Sequence, residues 1–390
     1  MAVAQGYGKI VTSGSVFAYD VGDTRNSYIG EPTTNVLGFD ATVRTVALGN
    51  QVFDSVQFGS SATCQVVEFD GRRAVAMDRG NSSGVYYENR CYIQKSVEIG
   101  EYVSWSMWVY SPTGGQQLHI EFYGGDYNWG VSHDYNTHTG TGWERLYART
   151  LYSATSYANV YAFIYANTDT TFYVRDLQIE KRQYPTSFTN GTRSTTQGLL
   201  DLTGNNTIDL SNVSFDSNAE MTFDGSNDYV PIPPSLLPTG QITIALVYRN
   251  DDSGRSTSVL AGGAGQQDLN IHLPWSDTNV YWDCGRPFNR IYKATTTGER
   301  TGMHYWVFTK NPTTGIMNIY LDGNLWHTGG GQTSTLPALT TVSLGCYDSG
   351  NSRAYFTAGV IPLAKIYNRA LTAAEVSQNY RHYKTRFNLS

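Results

Sequence analysis

The stretch Gly359-Val360-Ile361-Pro362-Leu363-Ala364-Lys365-Ile366-Tyr367-Asn368-Arg369-Ala370-Leu371-Thr372 leads into the one helical signal that stands out in the sequence. Thr372 and Glu375 have the spacing of a capping box, in which each side chain bonds the backbone N–H of the other residue. Large apolar residues then recur at helical spacing, at Val376, Tyr380, Tyr383 and Phe387. The sequence therefore predicts a short capped helix near the C-terminus.

Most other segments have the pattern of β-strands. Alternating runs bounded by Gly, Asn, Asp and Pro occur at Tyr102–Tyr110, Leu118–Tyr123, Asn159–Tyr165, Thr171–Ile179, Ile242–Tyr248, Trp306–Thr309 and Met317–Leu321. Asp322-Gly323-Asn324, which precedes Leu325–Trp326, predicts a tight hairpin because an Asp-Gly pair readily adopts positive φ angles. The pattern predicts an all-β protein made of antiparallel β-sandwiches.

Composition excludes several classes of function. The 390 residues carry a net charge of −6, and only 15% of them are charged, which gives no electrostatic footprint for nucleic acid. No run of about 18 apolar residues is present, so we expect no membrane insertion, and the N-terminus lacks the pattern of a signal peptide.

The four cysteines, Cys64, Cys91, Cys284 and Cys346, are expected to be free, although Cys64 and Cys91 would bridge if their strands were neighbours.

The C-terminal half resembles a known superfamily. Phe223–Val230, the strand Ile242–Tyr248, His304–Phe308 and Asn318–Gly323 together resemble laminin G-like domains of the concanavalin A-like lectin/glucanase superfamily. The 359–372 stretch resembles the closing strand and capped helix of such domains, particularly those in virion proteins of tailed bacteriophages. This resemblance implies a jelly-roll sandwich and a place on a virion.

A second resemblance covers residues 36–190. Glu101–Tyr110, Gly142–Arg145 and Phe172–Glu180 resemble carbohydrate-binding-module jelly rolls. Tyr184–Arg193 looks like the exit segment that joins such a module to a lectin-like domain in phage proteins.

The N-terminus suggests how the two domains are connected. Ser13–Asp20 resembles the opening strand of a laminin G-like domain, which usually continues into an Asp-Leu-x-Gly-Asn turn; here that turn is at 201–206. We therefore predict one discontinuous domain, residues 1–35 plus 191–390, with the jelly roll of residues 36–190 inserted into it. Gly14–Asp20 should then pair near Gly359–Tyr367. The alternative is a free N-terminal arm that precedes two consecutive domains.

A candidate glycan-binding face is predicted in the inserted jelly roll. In Tyr102–Tyr110, alternation places Ser104 and Ser106 on one side together with Trp108 and Tyr110, so that small serines beside large rings leave a groove. Aromatic rings suit the apolar faces of sugars, and polar groups bond sugar hydroxyls. The predicted carbohydrate-binding residues are Trp108, Tyr110, His119, Glu121, Tyr123, Tyr127, Trp129, Tyr161 and Tyr165. The alternative is that these rings pack in a core or against a neighbouring domain.

Two further candidates lie in the C-terminal half. Tyr281-Trp282-Asp283-Cys284-Gly285-Arg286-Pro287-Phe288 has the composition of an adaptable binding loop or an interface. Aspartates such as Asp224, Asp228 and Asp322 have the hard oxygen ligands that calcium prefers. An Asp in such turns more often bonds its own backbone, and the sequence identifies no set of calcium ligands.

No catalytic constellation is visible in the sequence. Retaining glycosidases of this superfamily carry an E-x-D-x-x-E run that places two carboxylates about 5 Å apart, and this run is absent. We therefore expect a non-enzymatic virion protein, an appendage or decoration of tail-fibre or capsid-fibre type that adheres to host-surface glycans. It would assemble in the host cytoplasm, with other virion proteins and copies of itself as partners. The alternative is a purely structural capsid, neck or tail component whose aromatic faces bind other virion subunits.

Overall fold

The structure is a computed structural model that describes residues 9–34, 54–56, 63–78, 88–93, 100–115, 117–123, 134–151, 159–165, 171–189, 192–213, 221–252, 254–263, 268–286 and 289–389. The chain divides into two compact units. A discontinuous unit comprises Met1–Pro32 and Thr195–Ser390, and an inserted unit comprises Thr33–Ser194. The sequence-based boundaries, 35/36 and 190/191, lie three and four residues from these divisions.

Strands dominate both units, as the sequence predicts. The strands before residue 195 are β1 (Ser15–Asp20), β2 (Thr33–Thr34), β3 (Asp54–Val56), β4 (Thr63–Phe69), β5 (Arg72–Asp78), β6 (Glu88–Ile93), β7 (Tyr102–Ser111), β8 (Gln117–Tyr123), β9 (Asp134–Tyr135), β10 (Gly142–Leu151), β11 (Asn159–Tyr165), β12 (Phe172–Glu180) and β13 (Thr192–Arg193). The later strands are β14 (Thr222–Asp224), β15 (Val230–Pro231), β16 (Ile242–Asn250), β17 (Ser258–Gly262), β18 (Leu269–His272), β19 (Asn279–Cys284), β20 (Arg290–Ala294), β21 (Met303–Asn311), β22 (Ile316–Leu321), β23 (Asn324–Gly329), β24 (Val342–Leu344), β25 (Tyr347–Asp348), β26 (Arg353–Ala354) and β27 (Ala358–Tyr367). The helices are α1 (Thr297–Arg300), α2 (Ala373–Lys384) and a 3-10 turn, Pro234–Leu236.

The discontinuous unit is a β-sandwich. One sheet has the order β1-β27-β16-β21-β22-β23, with β14 also paired to β27, and the other has the order β15-β24-β17-β18-β19-β20. Buried side chains from both sheets form one core, in which the Trp282 and Phe308 ring centroids are 5.7 Å apart. The Trp282 indole N–H donates to the Thr309 carbonyl at 3.2 Å, so this residue also links the two sheets by a hydrogen bond.

The first strand of the chain completes this sandwich. β1 pairs antiparallel with β27 from Ser15 opposite Tyr367 to Asp20 opposite Leu363, the pairing that the sequence predicts. Its other edge is occupied by the 201–206 turn, since the Asp201 carboxylate accepts the Ala18 N–H at 2.9 Å. The chain therefore leaves and re-enters one sandwich around the inserted residues.

The C-terminal helix covers the outer face of the seven-stranded sheet. The predicted capping box at Thr372 is present, and Val376 and Tyr383 are buried against residues of that sheet. The helix ends at Lys384, so Phe387, which the periodicity includes, lies three residues beyond it. At the predicted Asp322-Gly323 hairpin, φ is 47° and 79°, which confirms a turn with two positive φ angles.

The inserted unit also contains two main sheets. One has the order β4-β5-β12-β7-β10-β9, and the other has the order β3-β6-β11-β8. β2 and β13 form a separate pair at the two ends of the unit. Trp105, Met107 and Val109 alternate on one face of β7 and are buried. The all-β fold class with antiparallel sandwiches and a short C-terminal helix is confirmed.

Candidate functional site

The six-stranded sheet of the discontinuous unit has one face in the core and one face that carries polar and aromatic side chains. Ile271 and Trp282 are buried in the core from β18 and β19. Their neighbours alternate to the opposite face because successive side chains of a strand point to opposite sides. This second face therefore presents Asn270, His272 and Tyr281.

An open pocket lies on this face. Its volume is about 330 Å³, near the lower end of the range for small-molecule sites. The residues that line the pocket are Asn270, His272, Trp275, Tyr281, Arg290, Tyr347 and Tyr355. They come from β18, the β18–β19 turn, β19, β20 and the β25–β26 region, so the pocket depends on the assembled sheet.

Aromatic rings form the walls of this pocket. The Trp275 ring lies 4.7 Å from Tyr355 and 4.3 Å from His272, measured between centroids. Tyr347 contacts Tyr355 at 6.0 Å. The neighbouring Tyr292, 57% exposed, stacks on Tyr281 at 5.3 Å and 26°, and it extends the aromatic surface beyond the pocket.

Backbone bonds hold the two most prominent rings in place. Trp275 begins the turn between β18 and β19, where its N–H donates to the Asn279 carbonyl at 2.8 Å and its carbonyl accepts the Thr278 N–H at 2.9 Å. The Tyr355 carbonyl accepts the Ser258 N–H at 2.9 Å, which anchors the segment after β26 to β17. Both rings therefore project from fixed backbone.

The pocket floor is a chain of hydrogen bonds. Ser258 Oγ donates to Asn270 Oδ1 at 2.6 Å, and Asn270 Nδ2 lies 3.0 Å from His272 Nε2. His272 Nδ1 lies 3.2 Å from the Thr257 carbonyl, so we assign the proton to Nδ1 and the acceptor role to Nε2. Burial lowers the pKa of His272 to about 4, so the ring is neutral at pH 7.

Arg290 supplies the charged side chain of the pocket lining. Its Nε and Nη2 donate to the two oxygens of Asp283 at 2.5 and 2.8 Å, and its guanidinium lies 4.6 Å from the Tyr281 ring centroid. The hydrogen bonds to Asp283 raise the pKa of Arg290 further above its ordinary value. The geometry offers stacking surfaces beside polar groups, an arrangement suited to binding a small amphipathic ligand.

Of the predicted carbohydrate-binding residues, Trp108 and Tyr110 lie on the face of β7 opposite the buried Trp105. Both are half-buried, and the Tyr110 ring contacts Phe69, Trp143 and Tyr173 at centroid distances of 4.8, 5.6 and 6.0 Å. We call the rings of Phe69, Tyr110, Trp143 and Tyr173 the inserted-unit ring cluster.

The groove that the sequence predicts beside the serines of β7 is filled. Ser104 and Ser106 are fully buried. Arg145 donates to Ser106 Oγ at 2.9 Å and also to the Thr186 carbonyl, so the 181–189 segment covers this end of the sheet face. The prediction of an open groove was wrong because the segment after β12 folds back over the small side chains.

The other predicted residues do not extend the face of β7. His119, Glu121 and Tyr123 are in β8 and Tyr161 and Tyr165 are in β11, and both strands belong to the four-stranded sheet rather than to the sheet of β7. Within that sheet, Glu121 is opposite Tyr161 and His119 is opposite Phe163. Tyr127 and Trp129 lie outside the described residues.

The predicted 281–288 binding loop is instead largely a strand. Tyr281–Cys284 belong to β19, where Trp282 and Cys284 are buried while Tyr281 lines the pocket. Pro287 and Phe288 lie outside the described residues. Sequence reasoning missed Trp275 and Tyr355, and the available signal was an aromatic residue within each of two turn-like segments, His272–Asn279 and Ser349–Tyr355.

The candidate calcium ligands are engaged in local hydrogen bonds. Asp224 Oδ1 accepts the N–H groups of Ser226 and Asn227 at 2.7 and 3.1 Å, and Asp228 accepts the Asp224 N–H. Asp322 accepts from His304 Nδ1 at 2.7 Å and from the Tyr305 N–H at 2.9 Å. Among the described residues, no group of three or more His, Cys, Asp or Glu is placed to hold a metal. The calcium ion stays a prediction, which thermal melts with and without EDTA would test.

Two other sequence expectations concern cysteines and membranes. Cys284 and Cys346 are buried and free, while Cys64 and Cys91 lie in strands of different sheets. Within the described parts of the chain, neither helix has the length and apolar character needed to cross a bilayer.

Comparisons with known proteins address the discontinuous unit most directly. Residues 224–377 match the family described as the concanavalin A-like lectin/glucanases superfamily. These residues include the strands and turns that supply every side chain of the pocket lining. The unit is therefore similar to lectin-like domains. No curated protein matches the chain.

Similar solved structures include a carbohydrate-binding module and the binding domains of botulinum neurotoxins. The Ruminococcus gnavus IT-sialidase CBM40 bound to α2,3-sialyllactose matches with 18% identity and a TM-score of 0.31, over 36% of this chain and 82% of that one. The botulinum neurotoxin serotype D binding domain matches with 12% identity and a TM-score of 0.39, over 50% of each chain. The serotype G domain matches with 14% identity and a TM-score of 0.39, over 48% of this chain and 49% of that one. The chain thus spans about half the length of these neurotoxin domains.

Proposed function

We propose that the protein is a non-enzymatic glycan-binding protein and that the pocket on the six-stranded sheet is its binding site. The observation that carries this proposal is the arrangement of Trp275 and Tyr355, two rings 4.7 Å apart at the rim of a pocket with a hydrogen-bonding floor. The rings would pack against the apolar faces of a pyranose. Asn270 and Arg290 would bond its hydroxyl groups.

Binding, rather than catalysis, is the role that this chemistry supports. None of the lining side chains is a carboxylate, and the neighbouring Asp283 is paired with Arg290 through both oxygens. Glycoside hydrolysis generally uses two carboxyl groups on either side of the scissile bond. We therefore expect purified protein to release no reducing ends from bacterial polysaccharides.

Substitution of the rim aromatics tests the binding proposal. Trp275→Ala and Tyr355→Ala should each lower the signal on a glycan array by about tenfold or more, because each removes a stacking surface. Tyr102→Ala, an exposed tyrosine at the start of β7, is the matched control and should leave the signal unchanged. Equal binding by all three variants, each with a cooperative melt, would contradict the proposed site.

The wider proposal places the protein on the virion of a tailed bacteriophage, assembled in the host cytoplasm. There it would be an appendage or decoration of tail-fibre or capsid-fibre type that adheres to host-surface glycans, with other virion proteins and copies of itself as partners. Its support is the resemblance of the 359–372 stretch and of the exit segment Tyr184–Arg193 to phage virion proteins. Negative-stain imaging of virions labelled with an antibody to this chain tests it, and unlabelled virions would contradict it.

The inserted-unit ring cluster favours a second candidate function, a structural role in which this face binds other virion subunits. Aromatic side chains are enriched in the cores of protein interfaces, and all four rings are half-buried. Tyr110→Ala, which removes the ring that contacts the other three, separates this role from the predicted sugar-binding role of the same face. Reduced incorporation into virions with unchanged glycan binding would favour assembly, and reduced glycan binding with a cooperative melt would favour the sugar-binding role.

A further inference from the structure

The charged groups on the pocket face occur as matched pairs. Beside the Arg290–Asp283 pair, two more ion pairs join an arginine to a buried aspartate close in sequence to the lining residues Asn270 and Tyr347. Arg286 Nη2 lies 2.5 Å from Asp268, and Arg353 Nη2 lies 3.1 Å from Asp348. The three carboxylates are at most 3% exposed. Each of these three arginines therefore has a buried negative charge beside it.

These carboxylates are close enough to influence the pocket itself. Burial raises the pKa of Tyr347, and the charges of Asp268 and Asp348 raise it further. The pocket lining thus has no surplus of positive charge that would attract an anionic ligand.

His272, the titratable group of the pocket floor, is neutral, and both of its ring nitrogens already have hydrogen-bond partners. His272 donates through Nδ1 to the Thr257 carbonyl and accepts through Nε2 from Asn270. An imidazole with this tautomer has no N–H left for a ligand carboxylate. The Arg290 charge is already offset by the buried Asp283 carboxylate, which accepts from Nε and Nη2, so the donors that remain for a ligand carry no uncompensated charge for an anion.

We propose that the pocket takes an uncharged sugar, one or two hexose or N-acetylhexosamine units, and discriminates against sugars that carry a carboxylate or sulfate. This inference rests on the proposed function and specifies the class of ligand. The volume of about 330 Å³ sets the small number of units. Stacking on Trp275 and Tyr355 would supply affinity without any ionic contribution.

A paired glycan array tests this inference on the full chain. Each neutral oligosaccharide, such as lactose or N-acetyllactosamine, is printed beside its sialylated and sulfated forms and is probed at 50 and 500 mM NaCl. We expect the neutral member to give about tenfold more signal than its acidic form, with little change between the two salt concentrations. Preference for the acidic forms would overturn the inference and leave the proposed function standing. Absence of signal from every glycan would contradict the proposed function itself.

Asp283→Asn provides a second, charge-based measurement. The variant keeps the side-chain size but leaves the Arg290 charge without its carboxylate, so the ratio of acidic to neutral signal should rise about tenfold and become sensitive to salt. Asp251→Asn is the control, because it changes the net charge equally at the exposed Arg249–Asp251 pair. An unchanged ratio in a folded Asp283→Asn protein would overturn the inference. If Asp283→Asn does not melt cooperatively, the neutral and acidic glycan signals of the wild-type protein decide the inference.

Discussion

Tyr355 holds its ring at the pocket with an unusual backbone conformation. Its φ is 51°, in the left-handed region that non-glycine residues seldom adopt. The described residues other than glycine with positive φ are Asp70, Asp176, Thr278, Asp322, Tyr355 and Asn388. Asp and Asn tolerate this region, whereas Thr and Tyr do not, and Thr278 lies in the turn that holds Trp275. Backbone strain outside Asp and Asn is thus confined, within the described chain, to the two segments that carry the pocket rim.

Two substitutions at Tyr355 separate the role of its ring from the cost of its backbone. Tyr355→Ala and Tyr355→Gly should both lose glycan binding, because both remove the ring. Tyr355→Gly should be more stable than Tyr355→Ala by about 1 kcal/mol, since glycine adopts positive φ without a steric penalty. Denaturant unfolding of the two variants measures the difference. Equal free energies of unfolding would show that Tyr355 is not strained.

Lys365 gives the discontinuous unit a predictable pH dependence. The residue is 5% exposed on β27, and burial lowers its pKa to about 8, below the value of about 10.4 expected in the unfolded chain. Between these values the unfolded state binds a proton that the folded state does not, so the contribution of Lys365 to stability should rise with pH. Lys365→Met should flatten this rise and increase stability at pH 7 by about 2–3 kcal/mol.

The measurement for Lys365 is limited to a pH window by its neighbours. His382 lies close enough for the Lys365 charge to lower its pKa, which burial already lowers, so it titrates at lower pH. Burial raises the pKa values of Tyr305, Tyr367 and Tyr383 in the folded state. Unfolded tyrosine has a pKa of about 10, which sets the upper limit of the window. Burial also raises the pKa values of Cys284 and Cys346 to about 12, whereas unfolded cysteine titrates at about 8.5, so these thiols lower stability as the pH rises through the same window. The difference in unfolding free energy between wild type and Lys365→Met from pH 8 to 9.5 therefore reports Lys365, because the thiols are common to both proteins. A parallel pH dependence in wild type and Lys365→Met would contradict the assignment.

At the scale of elements, the start of α2 is the clearest case of local sequence determining structure. Thr372 Oγ1 accepts the Glu375 N–H at 3.3 Å, and Glu375 Oε2 accepts the Thr372 N–H at 2.9 Å. The bidentate hydrogen bonds from Arg369 lower the pKa of Glu375 to about 2, with help from the hydrogen bonds of Thr372, although burial opposes them. This contribution to stability should be complete above the unfolded pKa of about 4.3 and lost as the pH falls towards 2.

Removal of the cap should therefore weaken the docking of α2. Thr372→Ala should lower the free energy of unfolding by about 1 kcal/mol, the usual cost of losing an N-cap side chain. Thr385→Ala, an exposed residue directly after the helix, is the matched control and should change it little. Denaturant unfolding at pH 7 measures both variants, and equal effects would argue against the capping contribution.

Elements whose signals are local could be predicted from the sequence, and the pocket could not. The Asp322-Gly323 turn, the capping box and β11 each depend on a few consecutive residues, and the structure places them where the pattern does. The pocket combines Trp275, Tyr347 and Tyr355, which β-sheet pairing brings together from separate segments. Aromatic residues beside glycine favour a binding loop or an interface over 281–288, although Tyr281 and Trp282 already alternate as they do in β19.

At the scale of the whole molecule, the chain leaves the discontinuous unit after Pro32 and returns to it at Thr195. The segments of that unit next to these two points are hydrogen-bonded to each other. The Ile29 N–H donates to the Gly198 carbonyl at 2.9 Å, and the Leu200 N–H donates to the Ser27 carbonyl at 2.8 Å. A Cβ added at Gly198 would lie 2.4 Å from the Gly30 carbonyl oxygen, so the close approach requires glycine at this position. Hydrogen-bonded segments of this kind, joined at the isolated bridge between Tyr28 and Leu199, let a domain be inserted without opening the host sandwich.

Excision of the inserted unit tests whether this arrangement makes the sandwich independent. Joining Pro32 to Thr195 through a short Gly-Ser linker should leave a cooperatively folding protein, because β1, β27 and both sheets of the core lie within the retained residues. The pocket lining is also retained, so the excised protein should bind the same array glycans as the full chain, with affinity within a few-fold if each binding event uses one pocket. Circular dichroism melts and the glycan array measure the two outcomes. A protein that folds but does not bind would place the binding site, or part of it, among residues 33–194. A protein that does not fold would show that the inserted unit supplies stability that the retained core lacks.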